Sequence, residues 1–224
     1  MTTVTPPKSI EQLLERAEKL ASKSLAQLAE EFRAQLPDHL LLEKGWVGQF
    51  IEHLLGATSG SLPQPDFPEL GVELKTIPIN PLGKPLESTF VSVVNLHQPA
   101  SEQWETSIVK KKLEHVLWMP IIVHPNSPLN QRIIGMPLLW RPSADEWQIL
   151  KNDWEETMEK VCLGKFGQLN ARFGQALQVR PKAANSKVLT DVVGSDGEIT
   201  QTLPRGFYLR SSFTQKVLTQ LSYS

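Results

Sequence analysis

The stretch Pro65-Asp-Phe-Pro-Glu-Leu-Gly-Val-Glu-Leu-Lys75 gathers carboxylates and an ammonium into one short segment. On a strand, alternate side chains share a face, so Glu73 and Lys75 point the same way about 7 Å apart, while Val72 and Leu74 turn to the other side. Pro68 and Gly71 allow a turn that folds Asp66 back toward Glu73. Two carboxylates suit a hard cation such as Mg2+, which takes oxygen ligands, keeps several waters and accepts a phosphate oxygen beside one or two carboxylates. Asp66 and Glu73 are the expected metal ligands, and Lys75 can orient a water or stabilise negative charge developing on phosphorus. The chemistry open to this trio is metal-assisted phosphodiester hydrolysis. Glu52, on a helix just upstream, could add a third carboxylate. The same spacing also fits an exposed, salt-bridging strand face, and Glu52 alone fits a solvated surface glutamate.

The elements that must position these residues are legible from periodicity. Ser9-Ile-Glu-Gln12 and Ser24-Leu-Ala-Gln27 have capping-box form and precede apolar residues at helical spacing. Val47, Phe50, Ile51, Leu54 and Leu55 give a third, short helix, from whose stripe Glu52 falls away. The Gly-, Ser- and Pro-rich segment 56–65 reads as a loop leading into Asp66. Strands are expected over Val72 to Ile77, Phe90 to Leu96, Val116 to Val123 and Ile133 to Trp140, in a mixed sheet, with further strands at Leu177 to Val179 and Leu203 to Leu209. A long helix opens at Ser143-Ala-Asp-Glu146 and ends near Gly164, and Ser212-Phe-Thr-Gln215 is expected to cap a last one. The fold class is α/β, or α+β with a mixed sheet flanked by helices.

With 224 residues and 40% hydrophobic composition, the chain can bury a sizeable core as one domain or as two small lobes. The single cysteine, Cys162, excludes an internal disulfide, and no Cys or His spacing suits structural zinc, so the reducing cytoplasm is the expected location. The amino terminus shows no basic segment before an apolar run, and no stretch approaches the roughly 18 apolar residues of a membrane span. No Gly-rich phosphate loop of the nucleotide-hydrolase type is present. The net charge of -1 speaks against a nucleic-acid partner, but its distribution does not: residues 165–224 carry 8 Lys or Arg against 3 Asp or Glu. That excess could face a polyanion or be merely solvated.

Pro65-Asp66 followed by Glu73-Leu74-Lys75 resembles the PD-(D/E)XK motif of restriction-endonuclease-like nucleases. The longer segments Gly71-Val-Glu-Leu-Lys-Thr-Ile-Pro78, Trp104-Glu-Thr-Ser107, Pro137-Leu-Leu-Trp140, Arg180-Pro-Lys-Ala-Ala-Asn185 and Thr202-Leu-Pro-Arg-Gly-Phe-Tyr-Leu209 narrow the likeness to the MutH family, in the same order and over nearly the whole chain. The resemblance implies a restriction-endonuclease-like fold with two lobes around a DNA-binding cleft. Within a single endonuclease domain over 1–224, a catalytic lobe is expected over roughly 18–106 with the C-terminal helix, and a recognition lobe over roughly 107–210. It implies a monomeric enzyme that nicks the unmethylated strand at hemimethylated GATC in double-stranded DNA, activated by MutL after MutS finds a mismatch.

In that family the positions matching Asp66, Glu73 and Lys75 are catalytic, and Glu52 and Lys44 match further active-site positions. DNA reading falls to Arg180, Pro181 and Lys182, which can contact guanine or phosphate, to Arg205 as a phosphate anchor, and to Tyr208. The Tyr208 ring, set close to adenine N6, would leave no room for a methyl group. Lys112, in Lys110-Lys-Lys112, is a further backbone contact or a solvated lysine. Two rival readings are a GATC-specific type II restriction endonuclease cutting both strands and a DNA-binding module without hydrolysis.

Overall fold

Serine side chains open the first two helices in the computed structural model, which describes residues 4–37, 45–60, 62–183, 185 and 187–222. Ser9 Oγ accepts the amide of Gln12 ahead of α1 (Ile10–Leu20), and Ser24 forms a reciprocal box with Gln27 ahead of α2 (Leu25–Glu31). At Ser9 the box is half made, because Gln12 Oε1 accepts from the amide of Lys8 instead. Each such cap contributes about 1 kcal/mol by satisfying a donor that the helix leaves open.

In chain order there follow α3 (Trp46–Leu55), β1 (Glu73–Ile79), β2 (Thr89–Val93), α4 (Ile108–Leu113), β3 (Val116–Ile122), β4 (Ile133–Ile134), β5 (Leu138–Trp140), α5 (Ala144–Cys162), β6 (Leu177–Pro181), β7 (Thr190–Val193), β8 (Ile199–Thr202), β9 (Arg205–Leu209) and α6 (Ser211–Ser222). Among the described residues no helix is long and apolar enough to cross a membrane. The chain divides into two compact units, one of residues 1–87, 114–141 and 215–224, the other of 88–113 and 142–214. This division differs from the lobes expected from sequence. Residues 114–141 return to the first unit because β3 pairs with β1, and 88–106 go to the second because β2 pairs with β9.

The first unit is built on a mixed sheet. β1 and β3 run parallel, with Glu73 opposite Val116 and Lys75 opposite Trp118, and β4 and β5 lie antiparallel along the other side of β3. Leu74, Leu117, Met119 and Ile134 share one buried cluster with Leu13, Leu28, Phe50 and Ile51, so α1, α2 and α3 cover that face of the sheet. Strand alternation then sends Glu73 and Lys75 to the opposite face. One strand was expected over Ile133 to Trp140, but the structure breaks it at Gly135-Met-Pro137. Pro120 O accepts from Gly135 N at 2.7 Å, yet proline has no N–H to return, so the ladder is interrupted and resumes at Leu138 with its register shifted.

The second unit holds a three-stranded antiparallel sheet in the order β2-β9-β6 and a two-stranded ribbon of β7 and β8. The expected strand from Phe90 therefore belongs to this sheet and not to the mixed one. Trp104 packs against Trp147 and Trp154 of α5, with ring centroids 5.9 and 5.8 Å away; Trp104 and Trp154 are buried and Trp147 is half-buried. Ser143 and Glu146 make the expected reciprocal cap on α5. α6 begins two residues earlier than expected: β9 runs straight into it, the Arg210 carbonyl accepts from Thr214 N, and Ser212 lies inside the first turn instead of capping it.

Candidate active site

The hairpin that carries the acids is closed by backbone bonds. Phe67 and Val72 exchange hydrogen bonds of 2.9 and 3.2 Å around the 3-10 turn Pro68–Leu70, and Gly71 leaves that turn at φ +63°, a conformation that suits glycine. Asp66 is thereby folded back onto the start of β1. Its Oδ2 accepts from the amide of Leu74 at 2.9 Å, and its Oδ1 accepts from Ser59 Oγ at 3.1 Å. Glu73 is 1% exposed and Asp66 7%, so both acids are withdrawn from bulk water. Lys75 Nζ lies 2.6 Å from Glu73 Oε1, a pair of a half-buried lysine and a buried glutamate in which each charge offsets the desolvation of the other.

Glu52 comes from a different element, α3. It is half-buried on α3, and a Cβ built at Gly48 would come within 3.9 Å of its Oε1 and 3.6 Å of Thr76 Oγ1, which places the carboxylate by the strand face that alternates with Glu73. Among the described residues no three His, Cys, Asp or Glu side chains converge. The donor set on the hairpin is therefore two carboxylates, which fits a hard cation that completes its shell with water and substrate oxygens. Lys44 lies outside the described residues.

His115, just ahead of β3, is buried beside the acid hairpin. Its carbonyl accepts from the Glu73 amide at 2.9 Å, and its Nδ1 lies 3.0 Å from Arg141 Nη2. Burial, and after it the Arg141 charge, holds the imidazole below its ordinary value of 6.5, against the opposing pull of Glu114. Between the depressed folded pKa and 6.5 the unfolded chain binds the proton and the native state does not, so stability rises with pH through this window. The contribution is complete above 6.5 and is lost on acidification. Urea midpoints measured from neutral pH down to about pH 5.5 are expected to fall, and Arg141→Gln to flatten that fall, because it removes one cause of the depressed pKa. A slope identical in the variant would exclude this pair as its source.

The candidate nucleic-acid surface lies in the second unit. Tyr208 stands opposite Phe90 on one side and Gln178 on the other, and Arg180 stands opposite Gly206. These side chains share a face. The Phe90 and Tyr208 rings meet edge to face at 5.3 Å, Lys182 Nζ lies 4.3 Å from the Phe90 centroid, and the Arg180 guanidinium lies 5.8 Å from that of Tyr208. Arg180 also donates to Ser88 Oγ at 2.8 Å. Arg180, Pro181 and Lys182 are exposed and Tyr208 is half-buried. Burial pushes the Tyr208 hydroxyl upward in pKa, against the pull of Arg180, so the ring stays neutral at ordinary pH.

Sequence reasoning missed Phe90; alternation from Tyr208 across a pairing not yet known was the only signal. Arg205 turns inward: its two terminal nitrogens donate to the carbonyls of Leu169 and Phe166 at 2.8 and 3.0 Å, and burial lowers its pKa. Lys112 is half-buried on α4, next to exposed Lys111, while Lys110 pairs with Glu105.

A mixed α/β fold with a folded-back Asp and a Glu-x-Lys strand whose acid and lysine pair defines the restriction-endonuclease-like class. Comparison with known proteins narrows this. The family model described as DNA mismatch repair enzyme MutH matches residues 55–153. The DNA mismatch repair protein MutH of Vibrio campbellii is 54% identical over 212 residues, 95% of this chain and 94% of the relative. Those of Serratia proteamaculans and Shewanella baltica are 52% identical over 215 residues (96% and 94% of the two chains) and 49% over 221 residues (99% and 99%). The chain belongs to the MutH family of DNA mismatch repair enzymes.

Proposed function

We propose that the chain is the DNA endonuclease of methyl-directed mismatch repair, nicking the unmethylated strand at hemimethylated GATC sites by Mg2+-dependent phosphodiester hydrolysis. The observation that carries this reading is the hairpin that holds Asp66 on the Leu74 amide beside the Glu73–Lys75 pair. In this reading Asp66 and Glu73 hold the cation. When bound, Mg2+ supplies charge neutralisation at the scissile phosphate and acidifies water. Lys75, kept in place by Glu73, orients the attacking water or donates to the phosphate oxygens as negative charge builds. Glu52 and Lys44 are assigned supporting roles at the same centre.

Arg180 can donate a bidentate pair to guanine O6 and N7, and Lys182 can reach guanine or phosphate, each good base contact giving about 1–3 kcal/mol of discrimination. Pro181 between them lacks an N–H and stiffens the strand end. Tyr208 tests adenine N6 for a methyl group. Arg205, whose donors face two carbonyls, is assigned to holding β9 rather than to phosphate, and Lys112 to the DNA backbone. The enzyme acts as a monomer in the cytoplasm, and MutL activates it once MutS has found a mismatch.

The test compares hemimethylated, fully methylated and unmethylated GATC duplexes with Mg2+, with and without MutL, for wild type and Tyr208→Ala. The wild type is expected to nick the unmethylated strand, faster with MutL, and Tyr208→Ala to cut the fully methylated duplex as readily as the hemimethylated one. Rapid cleavage of both strands without MutL would favour a restriction enzyme. Binding without cutting under every condition would overturn the nuclease assignment.

A further inference from the structure

We infer that Gly206 is a specificity-determining position: the missing side chain makes the floor on which the Phe90 and Tyr208 rings are seated, and so sets how closely Tyr208 approaches a base edge. The inference rests on the assignment of Tyr208 as the methyl-sensing residue.

Glycine in the middle of a strand is a poor choice for stability, because it forfeits side-chain packing and loses more backbone freedom on folding than any other residue. Gly206 is the second residue of β9, the middle strand of the sheet, paired between β2 and β6, with Val93 opposite on one side and Arg180 on the other. Its φ is not left-handed, so no backbone conformation calls for glycine here. Space does. A Cβ at this position would stand 2.9 Å from Phe90 Cε2, 3.1 Å from Tyr208 Cε2 and 3.3 Å from Phe90 Cδ2, closer than ordinary contact. Both ring edges therefore lie across the bare Cα.

The rest of the constellation hangs on these rings. The register shift between Phe90 and Ser92 marks a bulge in β2 beside the Phe90 ring. On that face the Lys182 ammonium and the Arg180 guanidinium each lie over one of the two rings. A single methyl at position 206 pushes on both aromatics and moves the groups that would read the base. It leaves the backbone hydrogen bonds of β9 intact.

The experiment measures single-turnover nicking of hemimethylated and fully methylated GATC duplexes by wild type, Gly206→Ala and Tyr208→Ala, with urea midpoints for each. Gly206→Ala is expected to lower the hemimethylated-to-fully-methylated rate ratio roughly tenfold or more, since displacements below 1 Å at a reacting site carry effects of that order. Its urea midpoint is expected to fall only modestly, because the reduced backbone freedom of alanine offsets part of the crowding. A purely structural role cannot give this pattern, because a loss of folded protein scales both rates alike.

Unchanged discrimination in Gly206→Ala, alongside a loss in Tyr208→Ala, would overturn the inference and leave the Tyr208 assignment standing. Retained discrimination in Tyr208→Ala would remove both. Should Gly206→Ala fail to fold, Phe90→Leu is compared with the double variant Gly206→Ala/Phe90→Leu, in which the Cβ still meets Tyr208 Cε2 at 3.1 Å. The double variant is expected to discriminate less than Phe90→Leu alone, and equal discrimination would overturn the inference.

Discussion

Asp66→Asn is expected to reduce nicking of a hemimethylated GATC duplex in Mg2+ by about 10³-fold or more while the protein stays folded. The magnitude follows from charge: losing one anionic ligand forfeits several kcal/mol of transition-state stabilisation, and about 4 kcal/mol corresponds to 10³ in rate. The choice of asparagine follows from the hairpin. Asp66 holds the Leu74 amide and the Ser59 hydroxyl, and its carbonyl accepts from Thr58 at 3.0 Å. An amide oxygen can still accept from Leu74, so asparagine keeps the hairpin shut and removes only the charge. Alanine removes both and confuses a chemical loss with a structural one. Single-turnover rates, read together with urea midpoints, separate the two. A rate within about tenfold of wild type at an unchanged midpoint would move the chemistry away from this carboxylate.

The second large effect concerns stability. Asp153 is buried on α5, and its carboxylate accepts from three successive amides at the root of β6: Gln175 at 2.9 Å, Ala176 at 2.7 Å and Leu177 at 2.8 Å. Gly174 makes this possible with φ +84°, where a Cβ would stand only 1.8 Å from the Leu177 carbonyl oxygen. Arg210 closes the same turn from its carbonyl side, donating to Ala171, Phe173 and Gly174. Asp153→Ala leaves three amides without a partner. Each buried, unsatisfied donor costs about 1–3 kcal/mol, so the total loss is expected to be on the order of 3–5 kcal/mol, a large part of a typical folding free energy. Urea unfolding reads the loss, and hydrogen exchange at Ala176 and Leu177 locates it. A shift below about 1 kcal/mol would mean that water replaces the carboxylate without strain.

The acid hairpin was legible because its signals are local: alternation sets Glu73 and Lys75 on one face, and Pro68 with Gly71 sets the turn. The helices were legible for the same reason, since a cap and a stripe lie within one or two turns of each other. What the sequence hid depends on partners far along the chain. Nothing near Phe90 announces that its strand will pair with Leu209-side residues rather than join the mixed sheet, and so its place beside Tyr208 was out of reach. The β7–β8 ribbon was missed because, with only Val192 buried among its apolar residues, it has no alternating pattern to read; its turn signal, Gly194 to Gly197, stood alone. α4 was hidden under its three lysines, although Ser107 Oγ accepts from Lys110 N in the manner of a cap. The break at Gly135 was written in Pro120, fifteen residues upstream on a strand whose neighbour the sequence does not name.

The inward-facing arginines change what the charge of the C-terminal third means. Of the eight cations in residues 165–224, Arg205 and Arg210 are engaged with carbonyl oxygens of their own unit. A duplex releases counterions in proportion to the cations that reach its phosphates, not to those that a chain contains, at a slope of roughly 0.9 per phosphate neutralised. The ionic-strength sensitivity of DNA binding is thus set by a smaller group of side chains than composition suggests, while the Arg205 and Arg210 guanidiniums hold two turns of their own unit.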